Sequence, residues 1–190
     1  MTKSIMIVGT GGQGTLLASR ILGNTLLSEG FDVKVSEVHG MSQRGGSVVT
    51  YVKYGEAVYS PIIGKGEADI ILAFEQLEAY RALPYLKKGG SIITDEREIY
   101  SVPVLTGACA YPHDSLERLR AVVPRLMVIR AAEKAEALGN IKAQNIVLLG
   151  ALVRAMGLEQ ADWHALIAQM VPPKAVAMNL AAYDAGYDME

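Results

Sequence analysis

Ser36 to Ser47 read S-E-V-H-G-M-S-Q-R-G-G-S, a density of functional groups that a plain surface turn does not need. Arg44 is a fixed cation whose forked donors suit a phosphate or a carboxylate. Gly45 and Gly46 beside it let backbone amides approach the same anion. His39 is a candidate general base or simply a donor. Glu37, Ser42 and Gln43 add a carboxylate, a hydroxyl and an amide. The plainer alternative is a glycine-rich turn in which Arg44 and Glu37 pair with each other or with a neighbouring helix. A second polar stretch lies upstream, where Gly9, Gly11 and Gly14 fit G-x-G-x-x-G in "GTGGQG", with Gly12 and Gln13 between them. Glycines allow close backbone approach, and a following helix N-terminus offers free N–H groups to an anion.

These residues need a frame that brings them together. "SIMIV" (Ser4 to Val8) reads as a buried parallel strand ending at the glycines. A helix follows from about Gly12 to Glu29, stopped by Gly30, and Phe31 to Val38 reads as the second strand. This β-loop-α-β unit belongs to doubly wound sheets. "SVVTYVKYG" and "EAVYSPIIG" flank Gly55-Glu56 and predict a hairpin. "ADIILAF" (Ala68 to Phe74) is a further buried strand with Glu75 at its carboxyl end. A helix is expected from Gln76 to Leu86, ended by Gly89-Gly90, and "SIITD" and "RLMVI" read as later strands. After about Ala131 the pattern is helical. The fold class is therefore α/β: three layers, α/β/α, with a mostly parallel Rossmann-like sheet, an antiparallel hairpin addition and C-terminal helices. Residues 1–190 are read as one domain, an α/β core over 1–130 and a helical part over 131–190. In such open sheets ligands bind outside the carboxyl ends of the strands. Topology thus predicts a crevice shared by the glycine loop, the stretch from Glu37 to Ser47, and Glu75. Asn145, inside the apolar "AQNIVLLGALV", is a buried amide that must either anchor a backbone or face a polar interface.

The same residues limit the function. A dinucleotide would need an acidic residue near the end of the second strand to hold the ribose; Glu37 is of the right kind but late. The glycine loop is open to three readings: a dinucleotide site, a tight turn that binds nothing, or a seat for another phosphate-bearing ligand or a partner's loop. Of 190 residues 51% are hydrophobic and 20% charged, and the net charge is −2, which argues against nucleic acid as the main partner. The single cysteine, Cys109, cannot form an internal disulfide or hold an iron–sulfur cluster, which points to a reducing, cytoplasmic setting. It reads as a small buried residue and not as a nucleophile. The three histidines, His39, His113 and His164, lack metal-ligand spacing. His113 reads as a helix-entry residue with Asp114 as N-cap, and Trp163, His164, Tyr183 and Tyr187 as packing or interface residues. No G-x-S-x-G elbow is present, no apolar run is long enough for a membrane helix, and no signal peptide is expected.

Taken in order, "GTGGQG", "EVHGMSQRGGSV", "ADIILAFEQLEAYRALPYLKKGGSIITD", "LGNIKAQNIVLLGAL" and "PPKAVAMNLAAYDAGY" resemble the gamma-type domain of the 2-oxoacid:ferredoxin oxidoreductase family, from Ile5 to Tyr187. Within the family "HGMSQRGG" is more similar to the arylpyruvate (indolepyruvate) type than to the "G-P-E-R-R-G-A"-like loop of pyruvate-type relatives. The resemblance implies a small subunit of a heteromeric enzyme that oxidatively decarboxylates a 2-oxoacid, with coenzyme A as acyl acceptor and ferredoxin as electron acceptor. It implies a large alpha subunit carrying thiamine diphosphate, Mg and 4Fe-4S clusters, with no cofactor held by this chain alone and coenzyme A as a possible shared ligand. Carried over by position, Gly11, Gly12, Gln13 and Gly14 form the anion-facing loop. His39, Ser42, Gln43, Arg44, Gly45 and Gly46 form the loop that faces the partner. A free-standing nucleotide-binding module and a subunit for another 2-oxoacid are the competing readings.

Overall fold

A computed structural model describes residues 2–39 and 45–189. Its sheet is built from β1 (Lys3–Thr10), β2 (Asp32–His39), β3 (Ser47–Gly55), β4 (Ala68–Ala73), β5 (Leu86–Asp95) and β6 (Leu126–Ile129), in the spatial order β2-β3-β1-β4-β5-β6. The helices are α1 (Thr15–Ser28), α2 (Gln76–Ala82), α3 (Val102–Leu105), α4 (Ser115–Val122), α5 (Ala131–Ala137), α6 (Gln144–Met156), α7 (Trp163–Met170) and α8 (Val176–Tyr187).

Successive strand residues face opposite sides, and the apolar run of β1 supplies both. Ile5 and Ile7 enter one core with α1, α5, α6, α7 and α8; Met6 and Val8 enter the other with α2 and α4. The three-layer α/β/α expectation holds, and the C-terminal helices share a core with β1 and α1. Each fully buried large side chain contributes about 1.5–3 kcal/mol. α6 is buried along its length from Gln144 to Val153. It can be so deep because α8 crosses it at Gly150 and Gly186: a Cβ on Gly150 would lie 2.2 Å from the Tyr183 carbonyl oxygen, and one on Gly186 1.9 Å from that of Val147.

Two expectations are corrected. The antiparallel element is not a hairpin at Gly55-Glu56. β3 pairs antiparallel with both β1 and β2, so it runs inside the sheet between two strands of common direction, while "EAVYSPIIG" forms no strand. β2 pairs antiparallel with β3, and His39 stands opposite Val48. Second, α2 stops at Ala82, because Leu83–Tyr85 is a 3-10 turn containing Pro84, which cannot continue an α-helix. Gly89 and Gly90 lie within β5 and terminate nothing.

Candidate functional site

β1 ends at Thr10, directly opposite Ser47 at the start of β3. This pairing joins the two polar motifs. The Gly11 N–H donates to the Gly46 carbonyl oxygen at 2.8 Å, and the Gly45 N–H to that of Gly11 at 3.4 Å. The Ser47 hydroxyl donates to the Glu78 carboxylate at 2.5 Å, tying β3 to α2. Gln13 explains itself in three dimensions: its Oε1 accepts from the Thr10 N–H at 2.7 Å, and its Nε2 donates to the Phe74 carbonyl oxygen at 2.8 Å. One amide thus links the carboxyl ends of β1 and β4. Gly14 begins α1 at φ 81, and a Cβ there would meet Asn145 Nδ2 at 2.5 Å. Only glycine suits both the left-handed backbone and that contact. In return Asn145 donates to the Gly14 carbonyl oxygen at 3.3 Å, anchoring a backbone as one of its two expected roles required.

Behind the loop lies a buried polar chain. Gln144 Nε2 donates to the Phe74 carbonyl oxygen at 2.9 Å and to Asp95 Oδ2 at 2.8 Å. Asp95 also accepts from the Ala132 N–H at 2.7 Å and the Arg97 N–H at 3.1 Å. Burial pushes the Asp95 carboxyl above its ordinary range, against the pull of these donors. Glu75 is similar. It was expected to face the crevice, but it is 1% exposed and caps α2, accepting from the Glu78 N–H at 2.9 Å, the Ile99 N–H at 3.3 Å and the Tyr111 hydroxyl. Burial raises its pKa and, with the Glu75 contact, that of Tyr111.

Three recesses open around Gly12. One, of about 390 Å³, lies between the loop, Thr15, Leu16, Glu37 and Val48. Glu37 Oε2 is buried there without a hydrogen-bond partner among the described residues. A second, of about 280 Å³, is lined by Thr10, Gln13, Gly45, Arg97, Lys142 and Gln144. A third, also about 280 Å³, is lined by Leu17, Asn140, Asn145, Met178 and Asn179. α1 has no side-chain cap and no acidic residue in its first turn, so its N–H groups remain available to an anion. With Arg97 and Lys142 alongside, the arrangement is chemically a seat for a phosphate or carboxylate. It is poorly equipped for acid–base work, because Glu75 and Asp95 are committed to internal donors.

The structure therefore brings together Gly9, Gly11, Gly12, Gln13, Gly14, Gly45, Gly46, Glu37 and Asn145, and turns Glu75 away. Ser42, Gln43, Arg44 and the His39 side chain lie outside the described residues. Cys109 is exposed, where burial was expected. Asp114 precedes α4 but makes no cap; it pairs with Arg118 at 2.7 Å, while His113 meets Glu98. Trp163, Tyr183 and Tyr187 stack on one another. Sequence reasoning missed Arg97, Lys142, Gln144 and Asp95. Lys142 and Gln144 flank Ala143 beside the Asn145 that was singled out, and an amide pair opening an apolar helix was the available signal; nothing in "TDERE" marked Asp95 or Arg97. Among the described residues no group of three or more His, Cys, Asp or Glu is placed to hold a metal, and no helix is long and apolar enough to cross a membrane.

Comparison with known proteins agrees with this architecture. Indolepyruvate oxidoreductase subunit IorB of Pyrococcus horikoshii is 43% identical over 190 residues, covering 96% of this chain and 93% of the relative. The IorB subunit of Thermococcus kodakarensis is 42% identical with the same coverage. The crystal structure of the keto/oxoacid ferredoxin oxidoreductase gamma subunit from Geobacter sulfurreducens superposes with a TM-score of 0.72 at 23% identity, covering 98% of this chain and 96% of that one, and so shares the fold. A family model described as pyruvate ferredoxin/flavodoxin oxidoreductase matches residues 4–189. This chain, with a six-stranded sheet whose two glycine motifs are hydrogen-bonded together at one end, is matched by that model over residues 4–189 and belongs to the pyruvate ferredoxin/flavodoxin oxidoreductase family.

Proposed function

We propose that this chain is the small subunit of a heteromeric 2-oxoacid:ferredoxin oxidoreductase that converts an arylpyruvate, indolepyruvate first, into carbon dioxide and an aryl-acetyl-coenzyme A. The observation that carries this reading is the near-complete two-way coverage by subunits named for indolepyruvate oxidoreductase at 42–43% identity. "HGMSQRGG" supports the aryl preference. In this reaction the bond between carboxylate and carbonyl carbon breaks, carbon dioxide leaves, the acyl group passes to the coenzyme A thiol, and two electrons pass to ferredoxin. With one cysteine this chain ligates no cluster; by its family resemblance we place thiamine diphosphate, Mg and the 4Fe-4S clusters in a large partner subunit, in the cytoplasm.

The role of this chain is to bind and position. The Gly11–Gly14 loop, Arg97 and Lys142 suit a coenzyme A phosphate, and Arg44 adds a charge to the same anion or to a partner carboxylate. The segment after β5 exposes Tyr100, Val102 and Leu105, the last two at 68% and 69%. An exposed apolar patch of this kind beside the site is a surface for the large subunit. The test is co-expression with the large subunit, thiamine diphosphate, coenzyme A and a viologen acceptor. Expected are no turnover by the small chain alone and a kcat/KM for indolepyruvate at least tenfold above pyruvate and 2-oxoglutarate. Turnover without a partner, or a preference for 2-oxoglutarate, overturns the reading. Arg44→Ala is expected to leave the fold intact and reduce the reconstituted rate; a wild-type rate would remove Arg44 from the site.

A further inference from the structure

The opposite end of the sheet carries a second polar recess that the reaction does not use. β1 has eight residues, so Lys3 at its start lies about 23 Å from Thr10, at roughly 3.3 Å per residue. Here β4 and β5 fall out of register. Ala68 pairs with Leu86 and Ile70 with Ser91, so Asp69 alone opposes Lys87, Lys88, Gly89 and Gly90. This wide bulge is held in place. Asp69 accepts from the Ser4 N–H and from Lys87 Nζ, both at 3.0 Å, and Gly89 turns the chain at φ 80. Bulges re-aim side chains, and this one delivers two lysines to the rim of a cavity of about 320 Å³ that Lys3 and Arg125 also line.

Four cations and one carboxylate therefore meet in one recess of a chain whose net charge is −2. Asp69 answers Lys87; among the described residues Lys3, Lys88 and Arg125 form no ion pair. The excess is too large for a single carboxylate to balance. Part of the lining is apolar, from the partly exposed Ile70 and Met156, with Tyr54 beside them. The volume lies at the lower end of the range for small-molecule sites, about 300–1,000 Å³. We propose that the bulge recess at the amino ends of β1, β4 and β5 binds a small organic phosphate. Its charged head lies on Lys3, Lys87, Lys88 and Arg125, and its apolar portion on Ile70 and Met156, beside Tyr54.

The proposal is independent of the carboxyl-end site, and calorimetry on the full chain separates the two. The probes are ADP, pyrophosphate and adenosine. Expected is a saturable ADP site at least tenfold tighter than pyrophosphate and absent for adenosine, weakening as salt rises; any second ADP site at the glycine loop is distinguished by its sensitivity to Lys142→Ala. Lys88→Ala/Arg125→Ala should weaken ADP at least tenfold with an unchanged melting temperature. Lys142→Ala, at the glycine loop, should leave it unchanged. The proposal fails if ADP does not bind, if Lys142→Ala moves its affinity and the double variant does not, or if an acidic peptide saturates the recess and ADP does not compete.

Discussion

At the carboxyl end of the sheet Gln13, Gln144, Asp95 and Glu75 are bonded to one another or to the backbone, while Glu37 Oε2 and the Arg97 and Lys142 side chains beside them have no partner among the described residues. At the amino end the cations line a recess and, apart from Lys87, have no acidic partner within the described chain. Gln13, Gln144, Asp95 and Glu75 sit where strand ends would otherwise leave buried carbonyl and N–H groups unpaired, and those residues supply the partners. The Lys3, Lys88 and Arg125 side chains make no ion pair among the described residues. The carboxyl-end residues thus hold the strand ends beside the side-chain-uncapped start of α1, while the amino-end cations line an open recess. Rich polar chemistry in a cavity wall is not the same as chemistry available to a ligand; the difference lies in what each group already bonds.

The contrast can be broken by substitution. The largest effect is expected for Gln144→Leu, which leaves the Asp95 carboxylate short of a buried donor. Loss of about 3 kcal/mol in urea unfolding is expected, and a loss below about 1 kcal/mol would mean that the network is dispensable. Gly14→Ala should cost about 2 kcal/mol from its left-handed backbone and the Asn145 contact. Adding Asn145→Ala should recover the steric part only, a non-additive result that a double-mutant cycle reads. Next is pH. Because burial holds Glu75 and Asp95 above the ordinary carboxyl range, the folded chain binds these protons more tightly than the unfolded one. Their contribution is fully present below the unfolded pKa, about 4, and is lost as pH rises through the folded values. Glu75→Gln should therefore flatten the fall in urea midpoint as pH rises above the ordinary carboxyl range, about 4; an identical change in both proteins would remove Glu75 from that linkage. The smallest effect belongs to the amino end, where Lys88→Ala should shift stability by no more than about 0.5 kcal/mol. A cost like that of Gln144→Leu would erase the distinction between the two ends.

Much of this was legible beforehand, for local reasons. The apolar run of β1 announced a strand buried on both faces. The glycines announced a tight strand-to-helix turn, and the odd composition from Glu37 to Gly46 announced a loop at the same end of the sheet. Asn145 was marked by being an amide in an apolar helix. Glu75 misled, because its place at a strand's carboxyl end is set by sequence, whereas the direction of its side chain is set by the Glu78 and Ile99 N–H groups that receive it.

Sequence alone determined most of the strands and helices (though not that "EAVYSPIIG" forms no strand), that the chain cannot hold an iron–sulfur cluster, and which family it resembles, since these follow from periodicity, cysteine count and ordered motifs. Only the tertiary structure decided that β3 runs antiparallel between β1 and β2, that Gln13 joins β1 to β4, and that Lys3, Lys87, Lys88 and Arg125 share one recess. Each depends on strand register between residues far apart in the chain: a one-residue slip would exchange the faces of a strand, and no local pattern records which distant residue stands opposite.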